Sequence, residues 1–222
     1  PGRTSYQTYD EEVLNRAERF LETRDDNRPL FLTAGFVLPH CPFIAEKDRF
    51  DYYYDRVGVP EMPDGYLENM PEPMQEWREA RGITDLTDEE IRTARAGYYG
   101  IIEHFDEVVG GLLRVLNNSS IGDNTIVIYV SDHGDAAGNN GLWWKSQFYD
   151  HAVGVPMIFS GPGIPYGRRV EEVVSLLDIG PTLSELADCP EMPAVSGQSM
   201  VPLMHGEDPD WRNEAFSEMI NI

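Results

Sequence analysis

The sequence predicts an α/β protein with a mostly parallel central sheet and helices on both of its faces. Three observations predict it. Segments with helical and strand-like patterning alternate along the chain. The strand-like segments are nearly continuous apolar runs, as expected of strands buried on both faces. Clusters of turn residues separate them: Asn27-Arg28-Pro29, Asn117 to Asn124 and Gly161-Pro162-Gly163.

The elements follow in order. Asp10 is placed to cap a helix running to about Thr23, with Val13, Leu14, Ala17, Phe20 and Leu21 on one face. Leu30 to Val37 reads as the first buried strand. Leu38 to Gln75, rich in Pro, Tyr and Asp, reads as a long irregular stretch arching over the end of that strand; within it Tyr52-Tyr53-Tyr54 reads as loop packing. Thr87 opens a second helix, with Glu90 completing a capping box, and the apolar spacing carries it to about Asn117. Thr125 to Val130 and Val155 to Ser160 are the next strands. A short strand near Val170 to Val174 and a helix near Pro181 to Ala187 follow. Residues 1–187 are expected to form one domain, and 188–222 an irregular tail or the start of a smaller subdomain.

Charge narrows the choice of partner. Acidic residues outnumber basic ones 39 to 17, for a formal charge of −22. Nucleic acid and anionic membrane surfaces are poor partners for such a chain, because their phosphates demand basic patches. No run approaches the roughly 20 apolar residues of a membrane-spanning helix. The polar start without Met suggests that the natural N-terminus lies upstream. Cys41 and Cys189 stand in no metal or redox spacing and read as free thiols, with one disulfide as the alternative.

Ligands of α/β folds bind beyond the carboxyl ends of strands, so the chemistry is sought there. Ser131-Asp132-His133-Gly134-Asp135 directly follows a strand. Its neighbouring carboxylate and imidazole suit a divalent cation; a polar turn with His133 facing solvent is the plain alternative. Lys145 lies in Gly141-Leu142-Trp143-Trp144-Lys145, and the only other lysine is Lys47. A lysine desolvated by indoles would attract an anion strongly, although an exposed lysine packing its stem on an indole gives the same pattern. Pro39-His40-Cys41-Pro42 ends the first strand and presents an imidazole suited to hydrogen bonding or proton transfer; a loop histidine with a backbone partner is equally compatible. Asp135 and Asp150 read as solvated or capping carboxylates, and His104, His151 and His205 receive no functional role.

An ordered set of segments then carries a resemblance. PLFLTAGFVLPHCPF (29–43), GYYGIIEHFDEVVGG (97–111), TIVIYVSDHGDAAGNNGLWWK (125–145), VPMIFSGPG (155–163) and DIGPTL (178–183) resemble the sulfatase family of the alkaline-phosphatase superfamily. The resemblance implies that fold, a divalent cation bound partly by Asp132 and His133, and His40 and Lys145 contacting a sulfate ester. The cation is usually calcium in that family, and a nitrogen ligand such as His133 leaves magnesium or manganese open. It also implies a sulfated small molecule or sugar as partner. The choline-sulfatase and iduronate-sulfatase branches look nearest.

The chain departs from the family at the nucleophile. Sulfatases make a formylglycine from the Cys or Ser of a C/S-x-P-x-R motif, and neither Cys41-Pro42-Phe43-Ile44-Ala45 nor Cys189-Pro190-Glu191-Met192-Pro193 matches. The nucleophile and the remaining metal ligands are expected upstream of residue 1, which makes the chain a C-terminal portion that is inactive alone. A phosphonate or phosphodiester hydrolase of the same superfamily, and a degenerate member acting as a binding protein, remain the alternatives.

Overall fold

The computed structural model describes residues 1–190, 192–207 and 210–218. They divide into two compact units. One comprises residues 1–122 and 134–145, the other residues 123–133 and 146–222. Parts of the expected 188–222 tail, namely residues 191, 208–209 and 219–222, lie outside the described residues.

The first unit is helical. Helix α1 spans Ser5–Thr23 and is capped by Thr4, not by Asp10. The Thr4 hydroxyl accepts from Tyr6 N, while Gln7 accepts from Thr4 N at 2.5 Å. Asp10 sits inside the helix at the spacing of its buried stripe, with Ala17 and Leu21. The expected irregular stretch contains α2, Lys47–Tyr54, and the start of α3, Glu72–Ala80. The tyrosine run belongs to α2, where Tyr53 stacks on Tyr99 with centroids 5.7 Å apart. Helix α4, Asp88–Asn118, opens on the expected capping box between Thr87 and Glu90.

Helix α4 organises the unit, packing against both α1 and α2. Ile101 forms a buried cluster with Leu38 and Ala45, covered by Tyr6, Phe43, Phe50, Tyr98 and Phe105. Two glycines of α4 let the chain after residue 42 come close. A Cβ on Gly97 would fall 2.1 Å from Phe43 O, and one on Gly100 would fall 2.5 Å from Ala45 Cβ.

The second unit holds β1, Val127–Val130, and β2, Met157–Ser160. They pair antiparallel, Val127 opposite Ser160 and Val130 opposite Met157. Helix α6 (Ile179–Leu186) matches the expected helix near Pro181, whereas α5 (Asp150–Val153) and α7 (Val201–His205) were not expected, α7 lying in the stretch read as an irregular tail.

The sheet differs from expectation. Among the described residues it has two strands, and these are antiparallel. A parallel pair needs a crossover of a dozen or more residues, usually a helix; the segment between β1 and β2 carries only a 3-10 turn and the four-residue α5. Residues 30–37 form no strand among the described residues, and Phe31 is 75 % exposed. An apolar run reports a tendency to be buried, whereas a strand also requires a partner backbone. The expected strand near Val170 is likewise absent. Side chains hold that backbone instead: Val173 N donates to Asn213 Oδ1 at 2.8 Å, and Val173 O accepts from Trp211 Nε1 at 2.9 Å.

Candidate active site

His40 rides on a tight turn of the first unit. The peptide bonds before Pro39 and Pro42 are both cis, and His40 N donates to Val37 O at 3.0 Å. Upstream, Val37 N and Leu38 N donate to the two carboxylate oxygens of Asp10, at 2.8 and 3.0 Å. Leu38 is anchored in the core. The imidazole meets the edge of Tyr6, and its Nδ1 lies 2.9 Å from Cys41 O. A proton on Nδ1 satisfies that carbonyl and leaves the Nε2 lone pair as an acceptor.

Lys145 meets that acceptor, its Nζ standing 2.5 Å from His40 Nε2. The lysine ends a hairpin-like loop whose arms are tied by Ala136 N to Trp144 O at 2.8 Å and Gly138 N to Leu142 O at 2.9 Å. Asp135 braces the loop from within: its Oδ1 accepts from Ala137 N at 2.8 Å and from Trp144 N at 3.1 Å. Arginines from two helices hold the outside. Arg95 donates to Ala137 O at 2.6 Å and Arg78 to Gly141 O at 3.1 Å. The backbone on either side of Lys145 is left-handed, with φ of 62° at Trp144 and 76° at Ser146. Non-glycine residues rarely adopt that conformation, and it persists only where surroundings enforce it.

The tryptophans have partners of their own. Trp143 is buried and tilts against Phe43, and Trp144 sets its edge to Trp77, each pair with centroids 6.0 Å apart. The polar partner of Lys145 is therefore an imidazole. Burial pushes the neighbouring Cys41 thiol up in pKa, and Asp135 adds to this while Lys145 opposes it. Cys41 is thus held as a thiol beside His40, its Sγ 3.6 Å from Nδ1.

Asp132 and His133 belong to the second unit, just past β1. Asp132 Oδ1 accepts from His133 N at 3.0 Å, and Oδ2 lies 3.8 Å from His133 Nε2. The carboxylate is 85 % exposed, and Ser131 Oγ donates to His133 O at 2.9 Å. One hard oxygen donor and one imidazole suit a divalent cation as part of its ligand set. Among the described residues no group of three or more His, Cys, Asp or Glu is arranged to complete such a set.

Two carboxylates gain a role that the sequence reading missed. Asp135 was expected to be solvated or capping, and it forms the brace of the lysine loop. Its signal was an Asp two residues before a tight turn. Asp10 was expected at a helix start; its signal was a carboxylate in register with an apolar stripe. Of the histidines without an assigned role, His104 is buried between Glu11 and Glu46, each 3.6 Å away. His151 stacks on Tyr149, and His205 ends α7.

Comparison with known proteins returns a consistent answer. A family model described as Sulfatase matches residues 1–189. The chain is 34 % identical over 215 residues to a choline-sulfatase of Rhizobium meliloti, covering 91 % of this chain and 42 % of that protein. It is 32 % identical over 211 residues to an arylsulfatase of Clostridium perfringens, covering 93 % of this chain and 44 % of that protein. The chain thus spans less than half the length of these relatives. The solved structure of a phosphonate monoester hydrolase from Silicibacter pomeroyi superposes with a TM-score of 0.77 at 27 % identity, covering 90 % of this chain and 43 % of that one.

Proposed function

Because this chain belongs to the sulfatase family, we propose that it is part of an enzyme hydrolysing sulfate esters, with His40 and Lys145 contacting the ester and Asp132 and His133 holding part of a divalent metal site. The observation that carries the reading is the contact between Lys145 Nζ and His40 Nε2, which joins residues 105 positions apart. An ammonium has three donors, and His40 engages one; the other two suit the oxygens of a sulfate. Once the Lys145 ammonium has passed the proton of that contact to Nε2, the resulting imidazolium is suited to give it to the leaving oxygen. Fixed donors of this kind stabilise charge as it develops without reorganising.

Sulfatases generally use a divalent cation and a formylglycine. Asp132 and His133 would hold part of that cation, which would supply Lewis acidity toward the bound ester. Calcium is the metal proposed; the nitrogen of His133 argues for testing magnesium and manganese beside it. Neither cysteine of this chain stands in the motif that yields formylglycine, so no step is assigned to that group here. Residues 1–187 are read as part of the enzyme's catalytic domain, with 188–222 beginning a tail or subdomain. A sulfated small molecule or sugar is the proposed substrate class.

The similarity to a phosphonate monoester hydrolase favours one rival. Kinetics of the intact enzyme on an aryl sulfate, an alkyl sulfate, a phosphonate monoester and a phosphodiester decide between them. Higher kcat/KM for the sulfates is expected, and a preference for either phosphorus ester would overturn the reading.

A further inference from the structure

We propose that Asp10 is a positioning residue for His40, fixing from inside α1 the backbone that carries the imidazole to Lys145; the inference rests on the sulfatase reading of that pair. Asp10 is fully buried in the interior of α1, away from the helix end where an aspartate ordinarily caps. Its two oxygens accept separately from Val37 N and Leu38 N, 27 and 28 residues along the chain. Buried backbone N–H groups must find acceptors, and a neighbouring strand would normally supply them. Here one carboxylate supplies both, and the next two residues are Pro39 and His40. Leu38 is also locked into the core on its side-chain side. The turn therefore has little freedom to slide relative to α1.

Stability alone gives a poor reason for a charge at this position. Burial pushes the Asp10 carboxyl up in pKa, outweighing the opposing pull of its two N–H partners and of His104. Ionised Asp10 thus costs folding free energy at neutral pH. What a carboxylate provides and an amide cannot is a separate acceptor oxygen for each of the two N–H groups. Asn in its place keeps the shape, but its NH2 faces one of the two backbone donors.

The test is Asp10→Asn in the intact enzyme, assayed on an alkyl sulfate and on 4-nitrophenyl sulfate. Leaving-group assistance matters most for the poor alkoxide leaving group. A general acid contributes about 10²–10⁴-fold, so partial misplacement of His40 should lower kcat for the alkyl ester by about 10- to 100-fold. The aryl ester should lose less than about threefold, with KM little changed. Partial unfolding would lower both rates equally, and an equal loss, or none, overturns the proposal. If Asp10→Asn does not fold, Asp10→Ser, which is smaller and retains one acceptor, should show the same split between substrates. If the parent enzyme turns over no sulfate ester, the functional reading fails separately. The positioning role is then judged on the crystal structure of intact Asp10→Asn: His40 Nε2 beyond hydrogen-bonding reach of Lys145 supports it, and an unchanged contact refutes it.

Discussion

Gly97→Ala tests whether the packing of α4 against the chain after His40 is what holds the site. The added methyl would lie 2.1 Å from Phe43 O and 2.9 Å from Phe43 C. Backbone cannot rotate aside as a side chain can, so the segment must retreat by about 1 Å. Two effects on stability oppose each other. Alanine gains about 1 kcal/mol over glycine within a helix, and overpacking costs about 1–3 kcal/mol. The net loss is therefore about 0–2 kcal/mol. Activity should suffer more, because Phe43 is three residues from His40 and a misplacement of about 1 Å costs roughly 10²-fold in rate. Gly110→Ala is the control on the same helix. Its nearest neighbour is the mobile end of Arg114 at 3.4 Å, so it should gain about 1 kcal/mol and retain full activity. Urea midpoints and kcat/KM on an aryl sulfate, measured on the intact enzyme, give both quantities. If Gly97→Ala stabilises as much as Gly110→Ala and keeps its turnover, the close approach has no part in holding the site.

Three further outcomes are expected. Lys145→Ala should lower turnover by about 10²–10³-fold while changing stability by about 0.5 kcal/mol or less, and Lys145→Arg should restore only part of the rate; near-native turnover in the alanine variant would remove the lysine from the site. Asp132→Ala should lower the divalent-metal content retained after mild chelation, with excess cation recovering part of the activity, and unchanged metal content would refute the ligand assignment. Asp26 is held down to about 2 by the Arg28 side chain, with help from the Arg28 backbone N–H and Arg24. Its stabilising effect should thus be complete above 3.8 and fade as pH falls towards 2; Arg28→Ala should move its NMR titration up towards 3.8, and an unmoved titration would refute the pairing.

What the sequence disclosed depended on the range of the interaction. The capping box of Thr87 and Glu90 is local, and α4 begins where that pattern places it. Helix α6 and the positions of β1 and β2 were legible for the same reason. The partner of a strand is not local. Leu30 to Val37 has the composition of a buried strand, yet no ladder forms there among the described residues. Asp10 was misread because a capping signal and a buried acceptor use the same residue type, and only its distant partners Val37 and Leu38 distinguish the two. His40 and Lys145 each had an ordinary explanation when taken alone. Family resemblance paired them, since no pattern in the intervening residues does so.

The surroundings of the pair explain how a strongly acidic chain can present a cation to an anion. A chain carrying −22 repels a sulfate ester at long range, so attraction must come from donors fixed at the point of contact. A flexible surface lysine serves poorly, because water competes for its donors and freezing its rotamers costs up to about 2 kcal/mol. Here that ordering is completed before any ligand arrives. Asp135 and the two cross-loop bonds fix the backbone up to Trp144, and Arg95 and Arg78 tie the loop to neighbouring helices. His40 then occupies one ammonium donor with an imidazole nitrogen rather than with a carboxylate. An Asp or Glu in that position would orient the lysine equally well while cancelling the charge that attracts the anion. His40→Asp should therefore preserve the ordered loop but raise KM for a sulfate ester in the intact enzyme, by about tenfold or more if the net positive charge is what recruits the substrate. An unchanged KM would mean that the charge of the pair contributes nothing to binding.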